Sequence, residues 1–163
     1  MTLRTISYDL LTGLAAQADA NPRLRTNFNF HEGAESLVQR LIIQMTRGTY
    51  IRPHRHYEMN KWEMTLAING AFEIVIFEDD GAVRERIRLE PNSSVIALEL
   101  QPQTWHSYVP LSEHAAFFEI KEGPYDPARI TQFAPWAPAE GEATVPAYQA
   151  WLASAQPGQR YAD

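Results

Sequence analysis

From Ser7 to about Ala20 the apolar residues Leu10, Leu11, Leu14 and Ala15 recur near helical spacing, and Asn21-Pro22 ends the pattern. One amphipathic N-terminal helix is predicted. Between Leu37 and Lys121 the texture changes to short runs rich in Val, Ile, Phe, Tyr and Thr, broken by Gly, Pro, Asn and Asp. The runs are Leu37 to Met45, Thr49 to Arg52, Trp62 to Ile68, Phe72 to Phe77, Val83 to Leu89, Ser94 to Leu100, Trp105 to Val109 and Ala115 to Lys121. They read as strands, with Asn69-Gly70 and Asp80-Gly81 as hairpin turns between them. Many short strands with turn signals and no intervening helix predict an all-β sandwich or barrel. After Gly123 the segment GPYDPARITQFAPWAPAEGEATVP is dense in proline. It is expected to lie extended over the barrel without forming strands, before a short helix around Ala147 to Ala153. Arg84, Arg86 and Arg88 alternate along one run and predict an exposed sheet face.

A length of 163 residues fits one domain. The predicted organisation is an N-terminal helix over 1–20, a β-barrel domain over 21–123 and a C-terminal extension over 124–163 that packs on the barrel. The hydrophobic share of 45% and charged share of 21% are those of a chain able to bury a core. A net charge of −6 argues against a nucleic-acid partner, which would need a surplus of Lys and Arg on one face. No run approaches the ~20 apolar residues of a membrane helix. The start MTLRTISYDLLTGL lacks a basic region followed by an apolar stretch, so no membrane partner and a cytoplasmic location are expected. Cysteine is absent, so any metal must be held by imidazole and carboxylate groups.

That narrows the search to five histidines. In GTYIRPHRH, His54 and His56 are two residues apart, so on a strand both imidazoles point to one face. Glu63 opens the next run and, through a hairpin turn over Tyr57 to Lys61, would return beside them. His106 in PQTWHS opens a later strand that a closed barrel would bring beneath the pair. Three imidazoles and a carboxylate suit Fe, Mn, Ni, Zn or Cu and leave room for water or a substrate. Glu58, in the turn, is the rival carboxylate.

These residues carry a resemblance. Gly48, His54, His56, Glu63 and Gly70 match the first cupin motif, G(x)5HxH(x)nE(x)6G, and Pro102, Thr104 and His106 resemble the second. Six residues separate His56 from Glu63 where cupins usually have three or four, Thr104 stands where Gly is usual, and the terminal Asn is absent. The phrases NPRLRTNFNFHE, VQRLIIQM, KWE, LAINGAF, TWHSYVPL, FFEIKEGPY and FAPWAPAEG resemble the WbuC family of cupin-fold metalloproteins, in which the longer gap before the KWE glutamate is typical. The resemblance spans about Asn21 to Glu140. It implies a cupin jelly-roll β-barrel binding a divalent transition metal, Fe, Zn, Ni or Mn, and suggests sugar chemistry, since some members are encoded among genes for surface polysaccharide synthesis.

Around the expected metal ligands His54, His56, Glu63 and His106, further residues have candidate roles. Arg23, Arg25, Asn27, Asn29 and His31 alternate, so on an extended segment they share a face suited to an anionic or hydroxyl-rich ligand. Arg23, Arg25, Asn29 and His31 are taken as substrate-binding. Lys61, two positions before Glu63, is the candidate catalytic proton donor or carboxylate clamp. Two functional readings stand open: a metal-dependent enzyme on a sugar or nucleotide-sugar, as an isomerase, epimerase or Fe(II) dioxygenase, and a non-catalytic carbohydrate-binding module. Edge strands and outward aromatics predict a homodimer.

Overall fold

A computed structural model describes residues 3–56, 61–126 and 131–161. In chain order the elements are α1 (Tyr8–Ala20), β1 (Arg25–Asn29), β2 (Val38–Thr46), β3 (His54–His56), β4 (Glu63–Asn69), β5 (Phe72–Phe77), β6 (Val83–Leu89), β7 (Ala97–Leu100), β8 (Trp105–Pro110), β9 (His114–Glu122), β10 (Thr131–Phe133) and α2 (Val145–Leu152). Neither helix is long and apolar enough to cross a membrane.

The pairing follows one nested rule. β5 pairs β6, β4 pairs β7, β3 pairs β8 and β2 pairs β9, every pair antiparallel. Such nesting is one long two-stranded ribbon, β2 to β5 running out and β6 to β9 running back, rolled up until β4 meets β9 and β5 meets β8. The roll gives two five-stranded sheets, β1-β2-β9-β4-β7 and β10-β3-β8-β5-β6. This is the jelly roll. No strand of one sheet pairs with a strand of the other among the described residues, so the barrel is flattened into two facing sheets.

Alternation along the strands fills the space between the sheets. Met45, Ile74, Ile76, Leu100, Tyr108 and Phe117 meet there in the main core. The opposite faces are also apolar and are covered by the two ends of the chain. Leu11 and Leu14 of α1 pack on Ile42 and Ala116 behind the first sheet. Ser7 caps α1 by accepting from the Leu10 amide at 3.2 Å, and Asp19 ties its far end to Thr46 Oγ1 at 2.7 Å and His114 Nε2 at 2.9 Å. Behind the second sheet, Val75, Phe77 and Trp105 pack against Ala134, Tyr148 and Leu152 of the C-terminal segment.

Four expectations are corrected. Asn69-Gly70 is not a hairpin turn: β4 and β5 lie in different sheets, and the turn is the corner between them. Gly70 has φ +62°, and a Cβ there would sit 2.1 Å from the His114 carbonyl oxygen. Thr49 to Arg52 forms no strand, because its carbonyls serve side chains instead: Tyr50 accepts from Arg25, Ile51 from Ser107 and Arg52 from His54. The proline-rich tail does contribute a strand, since the proline-free triplet Thr131–Phe133 pairs with β3. Arg86 is no mere surface charge; it binds Glu73 and donates to the Leu152 and Ala155 carbonyls at 2.8 and 3.0 Å, anchoring the end of α2.

Gly70→Ala is expected to lower stability by about 2 kcal/mol, through the left-handed backbone and the His114 carbonyl together. A urea titration would show a reduced midpoint at unchanged slope. An unchanged midpoint would mean that the corner yields without cost.

Candidate metal centre

The two sheets present different chemistry to the space between them. The second sheet supplies imidazoles: His54 and His56 from β3, and His106 from β8, directly opposite His54 in register. Pairing brings the His54 and His106 ring centroids to 4.4 Å. One ring nitrogen from each of the three histidines lies within 4.8 Å of the others. The first sheet supplies Glu63 from β4 and, from β9, Glu119 and Lys121.

Each strand start also sets the state of its histidine. Nδ1 of His54 lies 3.0 Å from the Arg52 carbonyl, and Nδ1 of His106 lies 2.9 Å from the Thr104 carbonyl. A carbonyl oxygen only accepts, so Nδ1 donates in both rings. Burial, reinforced by the neighbouring His106 and His56, pushes His54 well below its ordinary pKa, so this ring is neutral at pH 7.

Glu63 meets this cluster from the facing sheet. Its Oε2 is 2.9 Å from His56 Nε2 and 3.3 Å from His106 Nε2. Burial alone would push its carboxyl up. Lys121 and His56, with the close contacts to His106 and His56, outweigh burial and hold it well below the ordinary carboxylate range. Oε2 of Glu63 and Nε2 of His106 are 3.3 Å apart, both atoms are buried, and neither has a hydrogen-bond partner. Buried polar atoms left in that state call for a further group to satisfy them. The donor set fits a divalent transition metal: three imidazoles with one carboxylate, and backbone carbonyls fixing two of the rings.

A cavity of about 340 Å³ adjoins the cluster, lined by His54, His56 and Glu63 at one end and by Arg25, Asn27 and Tyr108 among others. Arg23 and Arg25 reach it but are engaged elsewhere. Arg23 forms a two-pronged bond to Glu140 at 2.7 and 2.9 Å, and Arg25 binds the same carboxylate and donates to the Tyr50 carbonyl at 2.9 Å. They tie Glu140 of the C-terminal segment to the chain entering β1.

Asn29 and His31 are not among the lining residues. Asn29 accepts from the Asn27 amide at 2.7 Å, and His31 Nδ1 accepts from the Arg40 amide at 3.0 Å. Lys61 is buried and donates to the Gly123 carbonyl at 2.8 Å, and it does not line the cavity. The ammonium beside Glu63 is that of Lys121, which the sequence reading passed over. Its signal was present in FFEIKEG, where Phe117, Glu119 and Lys121 share one strand face, so a Glu and a Lys sit at core-facing positions. The expected return of Glu63 on a paired neighbouring strand is also corrected: β3 and β4 belong to different sheets, and the carboxylate reaches the histidines across the interior. Glu58 lies outside the described residues.

Comparison with known proteins agrees with this architecture. A family model described as a domain of unknown function, DUF6016, matches residues 6–89. No curated protein matches the chain in sequence. Among solved structures, the capsular polysaccharide assembling protein CapF from Staphylococcus aureus aligns with a TM-score of 0.58 at 16% identity, over 69% of this chain and 32% of that one. The chain thus spans about a third of CapF. The L-ribose isomerase of Cellulomonas parahominis, solved with L-psicose, aligns with a TM-score of 0.53 at 10% identity, over 68% and 69% of the two chains. A cupin 2 domain-containing protein from Halorhodospira halophila aligns at 0.49 and 16% identity, over 76% and 74%. The fold is the cupin jelly roll.

The Glu140 clamp makes the stability of the fold pH-dependent. Burial pushes the Glu140 carboxyl up, but the hydrogen bond from Arg23 and the charge of Arg25 outweigh it and hold the group below its ordinary value. A pKa depressed by folding stabilises above the unfolded value, and that stability is lost as pH falls through the folded one. Glu140→Gln is therefore expected to lower the urea midpoint at pH 7 and to converge with the parent as pH falls below the ordinary carboxylate range. A constant difference across that range would exclude the clamp.

Proposed function

This chain belongs to the DUF6016 family, and we propose that it is a metal-binding cupin acting on a small oxygenated molecule of the sugar class. In this reading His54, His56, Glu63 and His106 hold one divalent transition metal ion. The observation that carries it is the convergence of one ring nitrogen from each of His54, His56 and His106 within 4.8 Å, with a buried Glu63 oxygen 3.3 Å from His106 Nε2 and not hydrogen-bonded to it. A bound ion of this kind supplies a Lewis acid for a carbonyl or hydroxyl oxygen.

The chain's own residues make the adjoining space suitable for a polyhydroxylated ligand. Its volume lies near the lower end of small-molecule pockets, which start at about 300 Å³. Asn27 offers amide donors and acceptors, and Tyr108 offers a hydroxyl that is 2.9 Å from Thr65 Oγ1. The Tyr108 ring stacks on Phe117 at 4.6 Å, forming an apolar wall beside those polar groups. Burial drives the Tyr108 hydroxyl well above its ordinary pKa, so it remains protonated and able to donate. The resemblance of NPRLRTNFNFHE, KWE and FFEIKEGPY to the WbuC family supports the same substrate class. CapF and L-ribose isomerase are titled for capsular polysaccharide assembly and for a sugar isomerase, but their likeness to this chain is one of fold.

Metal analysis of protein purified without chelator is expected to find about one ion per chain, and His54→Ala/His106→Ala to lose it while keeping its far-UV circular dichroism. Equal metal content in the two proteins would sink the reading. In chelator-stripped protein, adding the ion at a hundred times its dissociation constant should stabilise the parent by about 2.7 kcal/mol, read as a rise in Tm that the double variant lacks.

A further inference from the structure

Behind the histidine and glutamate cluster lies a charged pair to which the reading above gives no part. Lys121 stands opposite Glu63 in the β4–β9 register, and Glu119 stands opposite Thr65, so both side chains enter the interior beside Glu63. Lys121 Nζ is 2.7 Å from Glu119 Oε1 and 3.5 Å from Glu63 Oε1. The side chains of Lys121, Glu119 and Glu63 are 16%, 7% and 3% exposed, so none of the three charges is dispersed by bulk water.

We propose that Lys121 is a positioning residue for the metal site, holding Oε1 of Glu63 back so that Oε2 alone faces the histidines, with Glu119 cancelling the lysine's charge. The inference rests on the metal-binding reading and adds a division of labour to it.

The physical case has two parts. The terminal torsion of a glutamate is broad and roughly two-fold, so packing alone does not decide which oxygen, or how many, it presents. A cation behind one oxygen breaks that symmetry. The two Glu63 oxygens indeed have different neighbours: Oε1 has Lys121, while Oε2 has His56 and His106. A lone buried ammonium at this place would repel an incoming dication. Glu119 removes that cost at 2.7 Å and makes the clamp electrically neutral toward the site. The pair therefore contributes orientation rather than net charge, which is the part that partners behind metal ligands play in general.

Charge-balanced substitution separates these effects. Co²⁺ serves as the probe, with affinity measured by competition against a coloured chelator and coordination read from the visible absorption of the bound ion. Lys121→Met/Glu119→Gln removes both charges together. It is expected to keep the far-UV circular dichroism of the parent, bind Co²⁺ about 10–100-fold more weakly and show an altered visible spectrum, because the carboxylate donor is no longer fixed. Glu119→Gln alone, nearly isosteric, leaves the ammonium uncompensated. It should weaken binding roughly tenfold with the parent spectrum retained.

If the parent binds Co²⁺ and both variants match it in affinity and spectrum, the clamp is wrong and the metal site stands. If the parent binds no Co²⁺, the metal reading falls and the inference falls with it. Should the double variant fail to fold, the single variant decides, and parent-like affinity there overturns the role of Glu119 as a counter-charge.

Discussion

Both sheets of this molecule are apolar on both faces, and that constraint shapes everything else. One pair of faces meets inside and makes the core. The outer faces cannot be left to water, so the chain spends its first helix on one and residues between Ala134 and Tyr161 on the other. The terminal segments are thus structural parts of the jelly roll. The C-terminal segment goes further, because it pairs with the strand that carries two of the histidines and places Glu140 on Arg23 and Arg25.

Two strands, β5 and β6, and the two helices were legible in the sequence almost to the residue, because each is a strongly patterned run with clear punctuation. The histidines were legible too, since the His-x-His alternation and the later strand start carry local information. What could not be read was partnership. Asn69-Gly70 has the composition of a hairpin turn, yet its strands part into different sheets, a choice made by tertiary pairing that no dipeptide encodes. Thr49 to Arg52 has strand composition but gives its carbonyls to Arg25, Ser107 and His54. Arg23 and Arg25 do line the cavity, but their bonds to Glu140, more than a hundred residues away in the chain, could not be read. The lysine beside Glu63 was hidden for the same reason: Lys61 is near Glu63 in sequence, Lys121 in register.

The candidate site draws its chemistry from the meeting of unlike sheets. Imidazoles come from one side, and a carboxylate backed by a buried ion pair from the other. Neither half is unusual alone. A strand-start histidine bonded to a nearby carbonyl is a local matter, and a Lys–Glu pair on a strand is ordinary at an edge. Facing each other across the interior, they bring three imidazoles and a carboxylate together, a donor set suited to a cation.

The nested ribbon has a consequence for chain entropy. The innermost hairpin, β5 with β6, closes across a five-residue turn, whereas the contact of His54 with His106 closes a loop of about fifty residues. Loop-closure entropy is lowest for the hairpin and grows outward, so joining the two histidine strands costs more chain entropy than closing the pair at the centre. β10 joins β3 from still farther along the chain. The histidine cluster thus rests on one of the ribbon's outer, non-local pairings, and its geometry depends on every pair nested inside it.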